Sequence, residues 1–332
     1  PEAPLCDSLA DHLIEHAIPC FGPQAIHAEL EGSKLFAKEA MHRAGVPTAD
    51  YLVLDSSSDI ESALSSYSGN PWVIKRDVLA GGKGVVVTTN VQEATEFIND
   101  SIQTDGHVLL ESFLPGEEAS MLVVMDASGF VCLPPSQDHK RVWDGDKGLN
   151  TGGMGAYCPA PVVSEEIHQK VLDRIVKPMH DSLSGMEIPY RGVLYVGLMI
   201  DENGDPFVVE FNVRFGDPEC QVTLPLIASD VGELLYAATT DSLDKYSVSF
   251  HDKHCLTVVL ASEGYPQSAM KGRVILGAEQ SNDDDDAWVS HAGTGRDESN
   301  RLISTGGRVL ATTSIAPSVD EARARAYQRR ES

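Results

Sequence analysis

The sequence predicts a mixed α/β (α+β) protein, because segments with strand character alternate with segments of helical periodicity along the chain. Asn203-Gly204 separates two of the strand segments, and this dipeptide is a strong signal for a tight hairpin turn. The strands on either side of it are therefore expected to be antiparallel neighbours. The strand segments are PWVIKR, HVLLES, SMLVVMD, GVLYVGLMID, PFVVEFNVR, CLTVVLAS and RVLATTS.

Helix boundaries are marked by capping residues. Ser33 is placed to cap a helix that runs to about Ala44 and ends before Gly45 and Pro47. Residues 164–183 repeat apolar side chains on one helix face, and this helix is expected to kink or restart near Pro178. Three further helix starts have capping-box spacing: Ser58 with Glu61, Asp230 with Glu233, and Ser318 with Glu321.

Composition limits the classes of function. A length of 332 residues is enough for two or three domains, and the net charge of −25 argues against nucleic acid as a partner. No run of 18 apolar residues predicts a membrane span. The six cysteines are widely spaced and form no CxxC pair, so reduced thiols in a cytoplasmic protein are expected. The chain opens on Pro1 without a visible targeting segment, and this opening is interpreted as a truncated start.

The segment PFVVEFNVR predicts a strand that carries chemistry on one face. Side chains of a strand alternate between its two faces, so Glu210, Asn212 and Arg214 are expected to lie on the same face. A carboxylate, an amide oxygen and a guanidinium in line suit a magnesium ion that carries a polyphosphate. The alternative is an ordinary sheet with one solvated face. The opposite face, directed to a core, is predicted to carry Val209, Phe211 and Val213.

The tract WVIKRDVLAGGKGVVV predicts a loop that covers phosphates. Lys75 ends an apolar strand, and the glycines that follow allow backbone amides to approach an anion closely. The loop, which consists of Gly81, Gly82, Lys83 and Gly84, is neither a Walker loop nor a GxGxxG fingerprint. A glycine-rich hairpin turn without ligand is the alternative.

Two further segments have weaker signals. Taken alone, the segment around Glu111, Phe113 and Leu114 is first interpreted as an exposed acidic loop. The functional interpretation is that its backbone groups meet an adenine edge, with Glu118 reaching ribose hydroxyls. The polar residues 137–141 precede a glycine-rich turn at 150–156. A histidine such as His139, taken alone, is more often a surface residue than a catalyst. No Ser-His-Asp or Cys-His arrangement predicts a covalent nucleophile.

The order of these motifs resembles that of the phosphoribosylamine–glycine ligase family, which belongs to the ATP-grasp superfamily. The resemblance rests on LEGSK, the tract from Lys75 to Gly84, FLPGEEAS, SQDHKR, NTGGMGAYCPAP and EFNVRFGDPE. It implies two α+β subdomains that enclose ATP, a remnant of a Rossmann-like N-terminal domain, and a small β-rich C-terminal domain. The boundaries that it implies are 1–28 for the remnant, 29–115 and 116–245 for the two subdomains, and 246–332 for the C-terminal domain.

The resemblance also implies a role for each motif residue. Lys34, Lys75 and Lys83 would meet the phosphates of ATP together with Gly81, Gly82 and Gly84, and Glu111, Phe113, Leu114 and Glu118 would surround adenosine. Glu210 and Asn212 would bind Mg²⁺ or Mn²⁺. Arg214, Lys140 and Asp217 would be catalytic, Arg214 by contacting phosphates or an acyl phosphate. The residues implied at the glycine and phosphoribosylamine end are Asp138, His139, Gly153, Gly155, Asp217, Pro218 and Glu219.

The implied activity is the ATP-dependent joining of glycine to 5-phosphoribosylamine through a glycyl phosphate, an early step of purine synthesis. Another ATP-grasp carboxylate–amine ligase and an ATP-binding fragment without catalysis remain as alternatives. The chain is expected to be a monomer or a domain of a multifunctional purine enzyme, with small-molecule partners only.

Two departures from the family pattern affect these expectations. Relatives commonly read KADGLAAGKG, whereas this chain has Arg76 and Val78 within the same motif. Arg76 is expected on the face opposite Lys75, and Val78 in place of glycine is expected to stiffen the loop. The family's N-terminal segment and a short C-terminal piece are also expected to be missing from the chain.

Overall fold

A computed structural model describes residues 2–79, 84–145, 147–278 and 285–331. The predicted loop residues Gly81, Gly82 and Lys83 lie outside this description. The chain forms two compact units, each assembled from separated segments: the first from Pro1–Cys132, Val162–Phe215 and Gly232–Ser247, and the second from Leu133–Pro161, Gly216–Val231 and Val248–Ser332. None of the helices in the described ranges has the length and apolar character that a membrane crossing requires.

Helices and strands alternate along the chain as predicted. The helices are α1 (Ala3–Cys6), α2 (Leu9–Glu15), α3 (Ala25–Gly32), α4 (Lys34–Ala44), α5 (Ile60–Ser66), α6 (Val91–Asp105), α7 (Glu165–Val171), α8 (Lys177–Ser184), α9 (Cys220–Thr223), α10 (Val231–Thr239) and α11 (Val319–Glu331). The strands are β1 (Tyr51–Asp55), β2 (Trp72–Arg76), β3 (Val85–Thr88), β4 (His107–Glu111), β5 (Glu117–Met125), β6 (Phe130–Cys132), β7 (Gln137–Asp138), β8 (Arg141–Trp143), β9 (Lys147–Asn150), β10 (Gly155–Cys158), β11 (Gly192–Ile200), β12 (Pro206–Asn212), β13 (His254–Ala261), β14 (Ala287–His291), β15 (Thr294–Arg296), β16 (Leu302–Ser304) and β17 (Arg308–Ala316).

The first unit contains a four-stranded antiparallel sheet of order β12-β11-β5-β6. The predicted hairpin between β11 and β12 is confirmed, and Gly204 in its turn has the positive φ of 71° that glycine adopts readily. Apolar side chains of this sheet form one buried cluster with α3, α4 and the helical stretch α7–α8. This cluster supports the strand that carries Glu210.

A β-bulge changes which side chains of β12 are buried. Gly197 pairs with Glu210 and Leu198 pairs with Val208, so Val209 is an extra residue without a partner in the register. The prediction that Val209 faces the core is therefore wrong, because the core position belongs to the fully buried Val208. Beyond the bulge the predicted alternation holds, with Phe211 and Val213 buried and the three polar residues half-buried.

A second four-stranded sheet of the first unit has the order β1-β4-β2-β3 and packs against α5 and α6 through a separate apolar cluster. Lys75 lies near the end of β2, and Glu111 is the last residue of the adjacent β4. The opposite orientation of Arg76 is confirmed. Its guanidinium forms a bidentate pair with Asp105 at the end of α6, with distances of 2.6 and 2.8 Å.

Helix boundaries follow most of the capping signals. The Ser33 hydroxyl accepts the amide hydrogen of Phe36, and α4 ends at Ala44 before Gly45, as predicted. Ser318 likewise caps α11 through the amide of Glu321. The predicted cap at Ser58 is wrong, because Asp59 is the N-cap of α5 and accepts from the amide of Ser62.

The predicted interruption of the helix at 164–183 is confirmed. A π-helical segment, Leu172–Val176, separates α7 from α8 and immediately precedes the turn that contains Pro178. The extra residue in a π turn accommodates the proline, which lacks an amide donor.

The second unit is built on a five-stranded sheet of order β14-β17-β13-β10-β7, with α9 and α11 packed against it. Its strands come from distant parts of the sequence, because β7 and β10 precede β13, β14 and β17 by about a hundred residues or more. In this sheet β13 lies between β10 and the C-terminal strand β17, and the segment 216–219 belongs to the same unit.

The capping arrangement at α5 is open to a direct test. We expect Asp59→Ala to lower the melting temperature by roughly 1 to 3 °C, because an N-cap side chain contributes about 1 kcal/mol. Ser58→Ala is the matched control and should have a smaller effect, since its hydroxyl bonds only within the preceding turn. Thermal unfolding followed by circular dichroism measures both, and an equal loss in the two variants would contradict this cap.

Candidate functional site

A buried carboxylate shared by two lysines lies at the centre of the first unit's polar residues. One oxygen of Glu111, Oε2, is 3.0 Å from Lys38 Nζ and 3.1 Å from Lys75 Nζ. Glu111 and Lys38 are each 2% exposed and Lys75 is 6% exposed. The other oxygen, Oε1, is buried without a hydrogen-bond partner among the described residues. The interpretation of position 111 as part of an exposed acidic loop is therefore wrong.

The two lysines connect this carboxylate to different parts of the first unit. Lys75 Nζ also donates to the carbonyl oxygen of Val209 at 3.1 Å, and this is the residue that the β12 bulge leaves without a register partner. Lys38 Nζ donates to Thr48 Oγ1 and to the carbonyl of Ala49, both at 2.9 Å. Thr48 Oγ1 in turn donates to the carbonyl of Val208 at 2.7 Å. Both ammonium groups are thereby linked to the strand that carries Glu210.

Burial affects the protonation of both lysines on α4. Removal from water lowers the pKa of Lys38 from its ordinary value of 10.5 to about 8, and the charge of Glu111 opposes this shift. Burial also lowers the pKa of Lys34, and the first charge that opposes the shift is that of Glu210. The Lys34 ammonium and the Glu210 carboxylate are therefore within electrostatic range of each other.

The start of the predicted phosphate loop is fixed to the N-terminus of α4. Asp77 accepts hydrogen bonds from the Ser33 hydroxyl and from the amide of Leu35, both at 3.1 Å. Lys34 Nζ donates to the carbonyl of Val78 at 3.1 Å. At the other side of the loop, the carbonyl of Gly84 accepts from the amide of Arg76 at 2.8 Å. The described residues on either side of positions 80–83 are thus anchored, while the role of the loop in phosphate contact remains a prediction.

The end of β12 presents the three polar residues as predicted. Arg214 is held by Glu31, whose Oε1 is 3.0 Å from Arg214 Nη2 and whose Oε2 accepts from the amide of Val213 at 2.8 Å. Burial raises the pKa of Glu31, and the Arg214 charge opposes this shift. Asn212 Oδ1 lies 3.5 Å from Arg214 Nη2. The Glu210 carboxylate makes no hydrogen bond or ion pair with any residue in the described ranges, while its backbone pairs with Gly197 in the sheet.

The donor set at this strand end suits a hard divalent cation. A carboxylate and an amide oxygen two residues apart are oxygen ligands of the kind that Mg²⁺ and Mn²⁺ accept. Within the described ranges no cluster of three or more histidine, cysteine, aspartate or glutamate side chains is placed to hold a metal ion. Glu210 and Asn212 therefore fit a cation that retains water or phosphate oxygens as its remaining ligands, which is usual for Mg²⁺.

The residues expected around adenosine follow β4 or lie on β5. Phe113 and Leu114 are half-buried and follow the end of β4 at Glu111 by two and three positions, whereas Glu118 lies exposed on β5. Nothing in the geometry tests their contact with a nucleotide, so these assignments stay predictions.

In the second unit, the segments 138–140 and 151–155 are joined by backbone hydrogen bonds. The amide of His139 donates to the carbonyl of Gly155 at 2.9 Å, and the carbonyl of His139 accepts from the amide of Met154 at 2.7 Å. The carbonyl of Lys140 accepts from both the amide and the hydroxyl of Thr151 at 2.8 Å. Asp138 is buried, with its carboxylate 3.8 Å from Lys140 Nζ. The predicted polar segment and the predicted glycine turn are therefore neighbours.

The turn at 216–219 lies against the same glycine segment. A Cβ atom at Gly153, which has φ of 107°, would stand 2.4 Å from Cδ of Pro218, so only glycine fits there. Asp217 is half exposed, and Glu219 is buried at the start of α9. All residues that were assigned to the acceptor end thus belong to the second unit, and their contacts with substrate remain predictions.

Sequence reasoning missed several residues of these clusters. Lys38 lies four residues after Lys34 on α4 and therefore on the same helix face, which is a signal that the sequence contains. Glu31 and Arg308 had no local signal, because their partners lie 182 and 91 residues away in the sequence.

The lowered pKa of Lys38 predicts a pH-dependent contribution to stability. Between pH 8 and 10.5 the unfolded chain binds more protons at this lysine than the folded one, so its contribution to stability rises with pH. Relative to Lys38→Met, the wild type should gain on the order of 1 to 3 kcal/mol of unfolding free energy across this window.

Denaturant unfolding at several pH values measures this difference. Lys271→Met, at an exposed position, controls for the loss of one positive charge. If the unfolding free energies of wild type and Lys38→Met change in parallel with pH, the lowered pKa of Lys38 in the folded protein is ruled out.

Comparison with known proteins identifies the family of the chain. Residues 32–220 match the family model of the phosphoribosylglycinamide synthetase ATP-grasp (A) domain, and residues 255–332 match the model of the C domain of the same synthetase. The phosphoribosylamine–glycine ligase of Vibrio vulnificus is 43% identical over 99% of this chain and 77% of its own length. A bifunctional purine biosynthetic protein of Pichia angusta is 43% identical over 98% of this chain, which spans only 42% of that longer protein.

A solved structure gives the same result. The crystal structure of the phosphoribosylamine–glycine ligase from Thermotoga maritima superposes with a TM-score of 0.83, at 34% identity, over 94% of this chain and 78% of that one. The ATP-grasp fold predicted from the motifs is thereby confirmed. The chain belongs to the phosphoribosylglycinamide synthetase family.

Proposed function

We propose that the chain is an ATP-dependent ligase that joins glycine to 5-phosphoribosylamine and forms glycinamide ribonucleotide, ADP and phosphate. The observation that carries this proposal is the end of β12, where the Glu210 carboxylate has no hydrogen-bond or ion-pair partner in the described ranges and lies two residues from Asn212. The similarity to ligases that carry this activity in their names supports the choice of substrates.

The first unit supplies groups suited to a triphosphate. Lys34 and Lys75 provide positive charge in a protein of net charge −25, and both ammonium groups are fixed by backbone carbonyls. Phosphoryl transfer requires mainly positioning and compensation of negative charge, and little protein acid–base chemistry. Arg214 adds a guanidinium that Glu31 orients. These residues therefore bind and orient ATP in our proposal.

Glu210 and Asn212 would hold the divalent cation, Mg²⁺ or Mn²⁺. When bound, this ion offsets charge on the phosphate oxygens and orients the γ-phosphoryl group. The half-buried position of both side chains reduces competition from bulk water.

The second unit supplies the groups proposed for the acceptor end. Asp138, His139 and Lys140 lie beside the glycine turn, and Asp217 lies beside Gly153. In the proposed reaction the glycine carboxylate takes the γ-phosphoryl group of ATP, which gives glycyl phosphate and ADP. The amine of phosphoribosylamine then attacks the acyl carbon, an amide bond forms, and inorganic phosphate leaves. In our proposal Asp217 and Lys140, which both belong to this unit, orient the amine and the acyl phosphate.

Replacement of the proposed metal ligand should affect metal dependence and rate together. We expect Glu210→Gln to raise the Mg²⁺ concentration required for half-maximal activity and to slow turnover by roughly two to three orders of magnitude. Glu202→Gln, at an exposed position after β11, is the matched control and should leave both quantities unchanged. Titration of the rate with Mg²⁺ measures the effect, and an unchanged rate at limiting Mg²⁺ would remove Glu210 from the metal site.

Substrate identity is tested by release of phosphate from ATP in the intact protein. We expect release only when glycine and 5-phosphoribosylamine are both present, because the acyl phosphate forms on glycine and is consumed by the amine. Alanine and serine in place of glycine serve as controls. Equal rates with these amino acids would favour another carboxylate–amine ligase, and ATP binding in a calorimeter without any release would favour a module without catalysis.

A further inference from the structure

One arginine from the C-terminal strand of the second unit contacts two of the segments assigned to the acceptor end. Arg308 is the first residue of β17 and lies where the register with β13 shifts, between Leu260 and Ala261. Its Nη1 atom donates to the carbonyl of Gly152 at 2.6 Å and to the carbonyl of Asp217 at 2.7 Å. The same atom lies 3.2 Å from the Asp217 carboxylate and 3.5 Å from the carbonyl of Gly153.

The glycine segment is shaped to admit this guanidinium. A Cβ atom at Gly152 would lie 3.0 to 3.2 Å from the guanidinium atoms of Arg308, so a larger residue would require the guanidinium to shift by a few tenths of an ångström. The amide of Gly152 is fixed separately, because it donates to the hydroxyl of Tyr265 at 3.0 Å. Gly152 is therefore held at its amide by Tyr265 and at its carbonyl by Arg308.

The contact also determines the orientation of Asp217. Arg308 bonds both the backbone carbonyl and the carboxylate of this residue, so the main chain and the side chain are constrained by one donor group. Gly153 lies against Pro218, which prevents the two segments from approaching more closely. A charged donor with several carbonyl acceptors has the strength required to hold two loops together.

We propose that Arg308 is a positioning residue for the acceptor substrates, which holds the Gly152–Gly153 segment and Asp217 in the arrangement that glycine and phosphoribosylamine require. This inference rests on the proposed function and extends it to the part of the chain that matches the C domain. Arg308 acts through Asp217 and the glycine segment. The C domain thereby contributes to substrate binding, in addition to any contribution to stability.

The test compares Michaelis constants for each substrate in the intact protein. For Arg308→Met we expect the KM for glycine, for phosphoribosylamine or for both to rise roughly 10- to 100-fold, while the KM for ATP stays within about twofold. Arg308→Lys retains a cationic donor and should give an intermediate increase. Arg301→Met, which removes an exposed arginine paired with Asp297 in the same unit, is the control and should change none of the three constants.

The outcomes separate a positioning role from a structural one. Unchanged acceptor constants, or an equal change in all three constants, would overturn the proposal. If Arg308→Met does not fold, the same criterion is applied to Arg308→Lys. A wild-type protein that binds ATP and releases no phosphate with both acceptors would instead overturn the proposed function.

A double-mutant cycle gives an independent measurement of the contact. Gly152→Ala should raise the acceptor KM in the wild type, because the new Cβ requires the guanidinium to shift by a few tenths of an ångström. It should have little further effect in Arg308→Met, in which the guanidinium is already absent. Additive effects of the two substitutions would show that residue 152 does not act through Arg308 and would overturn the proposed contact.

Discussion

The polar interior of the first unit depends on one carboxylate. Glu111 is almost completely buried, and burial of a charge costs several kcal/mol unless partners compensate for it. Lys38 and Lys75 provide that compensation at the same oxygen atom. Each ammonium also donates to backbone or hydroxyl oxygens elsewhere in the unit. The carboxylate and these acceptors together fix the position of both cations. Loss of Glu111 would leave two ammonium groups in the interior without a compensating charge.

The bulge in β12 gives this network its connection to the proposed metal site. An uninterrupted strand would leave no extra residue at Val209, whereas the bulge provides a carbonyl to which Lys75 donates. The bulge also determines which residues of the strand face the core, so that Phe211 and Val213 are buried there while Glu210 and Asn212 are not. The placement of one lysine and the orientation of the two proposed metal ligands thus have a common structural cause.

The second unit uses a different arrangement to fix its polar groups. The segments 151–155 and 216–219 contain glycines, which have little intrinsic conformational preference. These segments are held by the guanidinium of Arg308 and by the contact between Gly153 and the ring of Pro218. Glycines permit the close approach, and the arginine provides the directional bonds. Fixed geometry at the acceptor end would lower the entropy that substrates lose on alignment.

Local patterns in the sequence determined the strand segments, the hairpin at Asn203-Gly204, the caps at Ser33 and Ser318, and the ATP-grasp motifs. Each of these depends on residues within a few positions of one another. The tertiary structure alone decided that Val208 replaces Val209 in the core, that Glu111 is buried, and which acidic groups the cations meet. Such pairings join residues far apart in the sequence, and their free energy depends on desolvation, which only the packed fold sets.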